Sequence, residues 1–248
     1  MKKHIPNAIT SLNLLCGCIA IINAFEGILY WSAILIFLAA FFDFMDGAVA
    51  RMLKVSHPLG EQLDSLADVI SFGLAPGIIL YQFIKELISQ TEYPLFLEYP
   101  WLVYLVLIIP VFSALRLAKF NIDTRQTDGF IGLATPANAS FFISIVLVYS
   151  FPKHFQVIDI KEVLIPIFSH PLLLLILSFV FSFLLVSEIP MFSLKAKSLS
   201  WKGNEQRFIF LALFIVMLFL FSISAIPLLI LLYIIWSVLS TFLFSKKG

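Results

Sequence analysis

Asp43-Phe44-Met45-Asp46-Gly47-Ala48-Val49-Ala50-Arg51, eight further residues, then Gly60-Glu61-Gln62-Leu63-Asp64-Ser65-Leu66-Ala67-Asp68: this stretch sets four aspartates inside sequence that is otherwise as apolar as lipid. Of the chain's 248 residues, 61% are hydrophobic and only 12% charged, about half the charge of a soluble domain. The mean hydropathy is +1.03. Runs such as 172–186 and 208–221 are too apolar for surface helices. The chain therefore reads as an integral membrane protein, and its spans as helices, because the apolar runs are continuous and do not alternate. An ionisable side chain at membrane depth is costly unless something compensates it, so a functional reading is the default for the aspartate stretch.

At roughly 20 residues per crossing the sequence predicts an all-α, polytopic bundle of about eight transmembrane helices. They fall near 8–26, 29–52, 61–88, 100–120, 134–151, 171–189, 206–222 and 226–244. With a cytoplasmic amino terminus, Lys2, Lys3, Arg51, Lys54, Arg116, Lys119, Arg125, Lys195, Lys197, Lys202, Arg207, Lys246 and Lys247 all lie inside, and only Lys85, Lys153 and Lys161 outside. Both termini are then cytoplasmic, and so is the 54–59 loop from which both aspartate-bearing helices descend. No repeat or linker divides the chain, so 1–248 is expected to be one transmembrane domain, with catalytic helices in 1–150 and additional membrane helices in 151–248. The net charge of +1 gives no reason to expect a nucleic-acid partner. Cys16 and Cys18 lie on different sides of one helix and read as packing residues.

Along the second span Asp43, Asp46, Gly47 and Ala50 follow an i, i+3, i+4, i+7 pattern and share a face, with Arg51 one step around. Along the third, Gly60, Asp64, Asp68, Ser71 and Ala75 do the same. At ~1.5 Å per residue, Asp43 lies ~12 Å below Arg51 and Asp68 ~12 Å below Gly60, so the two acidic pairs meet at similar depth. Clustered carboxylates in a low-dielectric cleft must be protonated or bound to a cation. With oxygen ligands and no His or Cys in the cluster, Mg²⁺, Mn²⁺ or Ca²⁺ fits. Two such ions can clamp a diphosphate during displacement, which makes a phosphate ester the expected substrate. Gly47 and Ala50 are small enough for close helix packing or for a nucleotide to approach the backbone. Arg51 is placed for a phosphate contact.

The pattern D-x-x-D-G-x-x-A-R, eight residues, G-x-x-x-D-x-x-x-D resembles the signature of the CDP-alcohol phosphotransferases, with every fixed position filled. The resemblance implies transfer of a phosphatidyl or similar group from a CDP-linked donor to an alcohol, with release of CMP. It implies Asp43, Asp46, Asp64 and Asp68 as metal ligands, with Asp68 also the proton acceptor. Gly47, Ala50, Arg51 and Gly60 are expected to line the CDP-lipid site, joined by Thr10 and Ser56. Weaker matches narrow the subfamily. The segment Asp64-Ser65-Leu66-Ala67-Asp68-Val69-Ile70-Ser71-Phe72-Gly73-Leu74-Ala75-Pro76 is similar to membrane-embedded phosphatidylserine synthases, as are Pro6-Asn7 with Thr10, Asn13-Leu14 before Gly17, and Arg116-Leu117-Ala118-Lys119-Phe120-Asn121. Gly132-Leu133-Ala134-Thr135-Pro136-Ala137 departs mildly, with Ala134 where Pro is frequent.

The implied reaction joins CDP-diacylglycerol and L-serine in a multi-pass membrane protein surrounded by membrane lipids. Its active site faces the cytoplasm, and the resemblance alone implies a homodimer. Holding serine calls for a cation and a hydrogen-bonding group near the metals. Arg116, Lys119, Asn121 and Arg125, at the cytoplasmic end of the fourth span, and Ser71 are the candidates. Alternatives are the same family with glycerol phosphate, inositol phosphate or choline as acceptor, a prenyltransferase, and a divalent-metal transporter. The prenyltransferase pattern sets its Asp motifs far apart, and a transporter would need polar residues on several later spans, which apart from Glu188 are nearly lacking.

Overall fold

The computed structural model describes residues 4–55, 57–123, 130–150, 157–191 and 204–244. Helix α1 (His4–Phe25) turns at Gly27, whose φ of 76° suits glycine, into α2 (Leu29–Leu53), and the two pack along their length as a hairpin. Helix α2 stops where Lys54 adopts a left-handed conformation and returns its N–H to Ala50 and Arg51 carbonyls. After three intervening residues α3 (Pro58–Asp68) begins, with Pro58 in its first turn. The His57 ring caps it by accepting the Leu59 N–H at 3.2 Å. With the tight connection, the packing of both α2 and α3 against α1 turns their acidic faces toward each other.

Directly after Asp68 the helix widens into a π turn, Val69–Leu74, closed by the Ala75 N–H on the Ile70 carbonyl, before continuing as α4 (Ala75–Gln90). Pro76 has no N–H with which to close an ordinary turn, and single π turns are commonly found at functional sites. A short α5 (Pro94–Glu98) and a 3-10 segment (Pro100–Leu107) lead into α6 (Ile108–Ile122). Then follow α7 (Thr135–Ser150), α8 (Lys161–Phe168), α9 (Pro171–Val186), α10 (Glu205–Phe221) and α11 (Ala225–Phe244).

The fold is the all-α membrane bundle expected, but the span count differs. Among the described residues five helical stretches are long and apolar enough to cross a membrane, or six if α8 and α9, bent by 80°, form one span. Helix α7, with 16 residues, falls short of that length, and the last two expected spans make up one run of helical residues, Arg207–Leu239, that folds back at Ser222–Ser224, where Ser222 takes a positive φ of 53° and the Phe210 and Tyr233 rings stand 6.1 Å apart.

Helix α7 is the hub. Phe141 to Val148 are all buried, with Ser144 the one polar residue among them. Phe141 stacks on Phe181 of α9 with centroids 4.1 Å apart, and Phe142 meets the same ring edge-on. Such aromatic pairs add about 0.5–1.5 kcal/mol beyond burial. Outward, Trp31, Phe41, Phe44, Leu115 and Phe183 are exposed, as a lipid-facing surface requires. A two-residue antiparallel pairing of β1 (Phe130–Ile131) with β2 (Pro190–Met191) ties the chain before α7 to the end of α9. The Gly132 N–H reaches the Ile189 carbonyl and the Leu133 N–H the Leu184 carbonyl, both at 2.9 Å. Gly132 sits at φ 75°, where a Cβ would also lie 2.6 Å from the Leu185 oxygen.

The π turn packs against α6 through Gly73, where an added Cβ would meet Ser113 Cβ at 2.9 Å. Gly73→Ala is therefore predicted to cost ~1–3 kcal/mol by overpacking. Thermal unfolding in detergent checks this, and an unchanged midpoint would contradict it.

Candidate active site

Asp43 and Asp46 project from α2, Asp64 and Asp68 from α3, and the structure brings three of them to one point. Carboxylate oxygens of Asp43, Asp64 and Asp68 lie within 4.8 Å of one another. Asp46, buried one turn further along α2, accepts a hydrogen bond from Thr10 Oγ1 at 2.6 Å. Asp43, Asp64 and Asp46 all act electrostatically on Asp68. Asp64 Oδ1 is buried with no protein partner. A knot of carboxylates with an unpaired buried oxygen and no nitrogen or sulfur ligand fits a divalent cation of the Mg²⁺ class.

Beside the aspartates opens a cleft of about 270 Å³ between α1, α2 and α3. Thr10, Gly47, Ala50, Arg51 and Gly60, all expected at a nucleotide-lipid site, line it together with Asp46 and Asp64. Glycine at position 60 leaves room for Asn7, whose Oδ1 a Cβ would approach to 3.0 Å. Ser56 and Arg125, also singled out in the sequence, lie outside the described residues.

The acceptor candidates divide. Arg116 is buried in α6, lies over the Phe120 ring at 5.0 Å and interacts electrostatically with Asp68. A guanidinium in that position is available to a carboxylate-bearing ligand. Lys119 instead pairs with Glu188 and donates to the Val186 carbonyl, bracing α6 against the end of α9. Asn121 donates to Ser65 Oγ at 2.9 Å, and Ser71 Oγ donates to the Asn13 carbonyl at 3.0 Å.

Several residues around the cluster were not singled out as site residues. Asn7, His57 and Glu61 line the cleft, and Asn13 Nδ2 donates to Asp68 Oδ1 at 3.2 Å. A signal for the asparagines exists in the sequence. Asn7, Thr10, Asn13 and Gly17 recur at helical spacing in an otherwise apolar helix, which marks one face as polar and closely packed. His57 and Glu61 carry no such mark.

Comparison with known proteins follows the same line. Residues 3–179 match the family model described as CDP-alcohol phosphatidyltransferase. The CDP-diacylglycerol--serine O-phosphatidyltransferase of Bacillus subtilis is 34% identical over 135 residues, 54% of this chain and 70% of that one. The Helicobacter pylori protein of the same name is 28% identical over 240 residues, 94% of this chain and 89% of its own. The archaetidylserine synthase of Methanothermobacter thermautotrophicus is 34% identical over 146 residues, 56% and 58% of the two chains.

If Asp43, Asp64 and Asp68 hold a cation jointly, Asp43→Asn is predicted to weaken Mn²⁺ binding by at least the roughly 10–100-fold that loss of even a supporting partner costs a metal site. Titration of the purified protein with Mn²⁺ measures it; equal affinity in wild type and variant would exclude Asp43 as a ligand.

Proposed function

The chain belongs to the CDP-alcohol phosphatidyltransferase family, and on that footing we propose that it transfers the phosphatidyl group of CDP-diacylglycerol to the hydroxyl of L-serine, giving phosphatidylserine and CMP. The observation that carries this reading is the junction of three clustered carboxylates with a cleft walled by small residues and an arginine. The serine acceptor is supported by the names of the relatives, which share it.

Arg51, at the cleft, is suited to grip donor phosphate oxygens through its guanidinium. Gly47 and Ala50 let the nucleotide lie against the α2 backbone, while the acyl chains remain in lipid. Arg116 pairs with the serine carboxylate and so brings the hydroxyl toward Asp68. The Asp68 carboxylate takes the hydroxyl proton, the serine oxygen bonds to the phosphatidyl phosphorus, and the bond from that phosphorus to the CMP phosphate oxygen breaks. Asp43, Asp46, Asp64 and Asp68 would hold Mg²⁺ or Mn²⁺, two ions in this reading, which neutralise diphosphate charge when bound. Much of the rate then comes from holding the reactants in line. The concentration of Lys and Arg in alternate loops supports a cytoplasmic opening for the cleft.

The decisive experiment offers purified protein CDP-diacylglycerol, Mg²⁺ or Mn²⁺, and in turn serine, glycerol phosphate, inositol phosphate and choline, and follows CMP release. Serine is expected to be the productive acceptor; faster release with another alcohol would reassign it. Asp68→Asn is predicted to lower turnover by ~10²–10⁴ while CDP-diacylglycerol still binds, and wild-type turnover would remove Asp68 as base. Arg116→Ala is predicted to raise the KM for serine by ~10-fold or more with the donor KM within about twofold. An unchanged serine dependence would take Arg116 out of the acceptor site.

A further inference from the structure

Resting on the reading just given, the geometry assigns to Asn13 the task of positioning Asp68, the group that takes the proton. Asn13 lies on α1, one turn beyond Thr10, and is fully buried. Its side-chain amide donates to Asp68 Oδ1 at 3.2 Å, while its main-chain carbonyl accepts the Ser71 hydroxyl at 3.0 Å. Asp68 ends α3 and Ser71 sits inside the π turn that follows, so the two bonds straddle the place where the helix changes pitch. The close approach depends on Gly17, one turn further along the same face. A Cβ there would lie 2.6 Å from Ser71 Oγ and 2.9 Å from Ser71 Cα.

The other end of the same amide shows that folding alone does not explain the residue. Asn13 Oδ1 is buried with no hydrogen-bond partner. A buried carbonyl left unpaired costs stability, and a leucine of similar size would not carry that cost. What the amide provides in exchange is the bond to Asp68. A carboxylate offers about four lone-pair positions. Asn13 occupies one on Oδ1, which fixes the rotation of the group and leaves the rest directed at the cation cluster and the incoming hydroxyl. Asn13 is thus a positioning residue, acting on substrate only through Asp68.

Asn13→Leu separates this role from a structural one. The variant loses the donor to buried Asp68 together with the unpaired carbonyl, so folding is followed separately, by the melting temperature. Its kcat should fall by about tenfold or more, the KM for CDP-diacylglycerol should stay within about twofold, and Mn²⁺ affinity measured without substrate should weaken by about tenfold. Asn13→Asp keeps the shape but sets a further carboxyl beside Asp68, to share a proton with it, and its kcat should fall at least as far. The assignment is overturned by a kcat within about twofold of wild type in either variant, or by unchanged Mn²⁺ affinity in Asn13→Leu. A wild-type protein that releases no CMP with any alcohol would remove the proposed function and this assignment together. An active wild type with an equally active Asn13→Leu would remove this assignment alone.

Discussion

Four carboxylates cannot share the interior of an apolar helical bundle unless positive charge stands among them or donors surround them. Much of the surrounding structure answers to that constraint. Thr10 donates to Asp46 and Asn13 to Asp68, so α1 serves the acidic cluster from a helix that carries no acid of its own. Arg116, buried with its guanidinium over the Phe120 ring, adds a positive charge that interacts with Asp68. The unpaired Asp64 oxygen marks what the protein does not supply for itself, which is where a divalent cation belongs.

Close packing follows from the same need. Donors on one helix reach carboxylates on another only if backbones nearly touch, and the glycines stand where they do: Gly17 under Ser71, Gly60 beside Asn7, Gly73 against Ser113. The π turn adds a second device. By widening the helix immediately after Asp68 it turns Ser71 into α1 and Gly73 toward α6, so one irregular turn docks the acidic helix on both neighbours. Beside this polar seam the buried run 141–148 of α7 supplies a mainly apolar hub.

The part of this arrangement that was legible in the sequence is the part governed by local spacing. Helical periodicity put Asp43 with Asp46 and Asp64 with Asp68, and the short 54–57 connection made their helices adjacent. Everything set by long-range contact was hidden. Lys119 and Arg116 look alike as cations at one helix end, yet one meets Glu188 just past the end of α9 and the other interacts electrostatically with Asp68. Ser71 follows the acidic face by spacing, but its hydroxyl is spent on Asn13 because the π turn shifts its direction. The eight expected spans rest on apolar mass, which does not show that α7 has only 16 residues or that α8 and α9 meet at 80°.

The strap formed by Gly132, Leu133 and the β1–β2 pair grips the end of α9, and from the same end Glu188 and the Val186 carbonyl hold Lys119 of α6. One turn from Lys119 on that helix is Arg116. The arginine proposed to hold the acceptor therefore sits on a helix braced by a segment that carries none of the signature residues. Evolutionary drift in α9 could move the guanidinium relative to the base with every aspartate intact, so substrate preference in such proteins can diverge through scaffolding that a motif search never inspects.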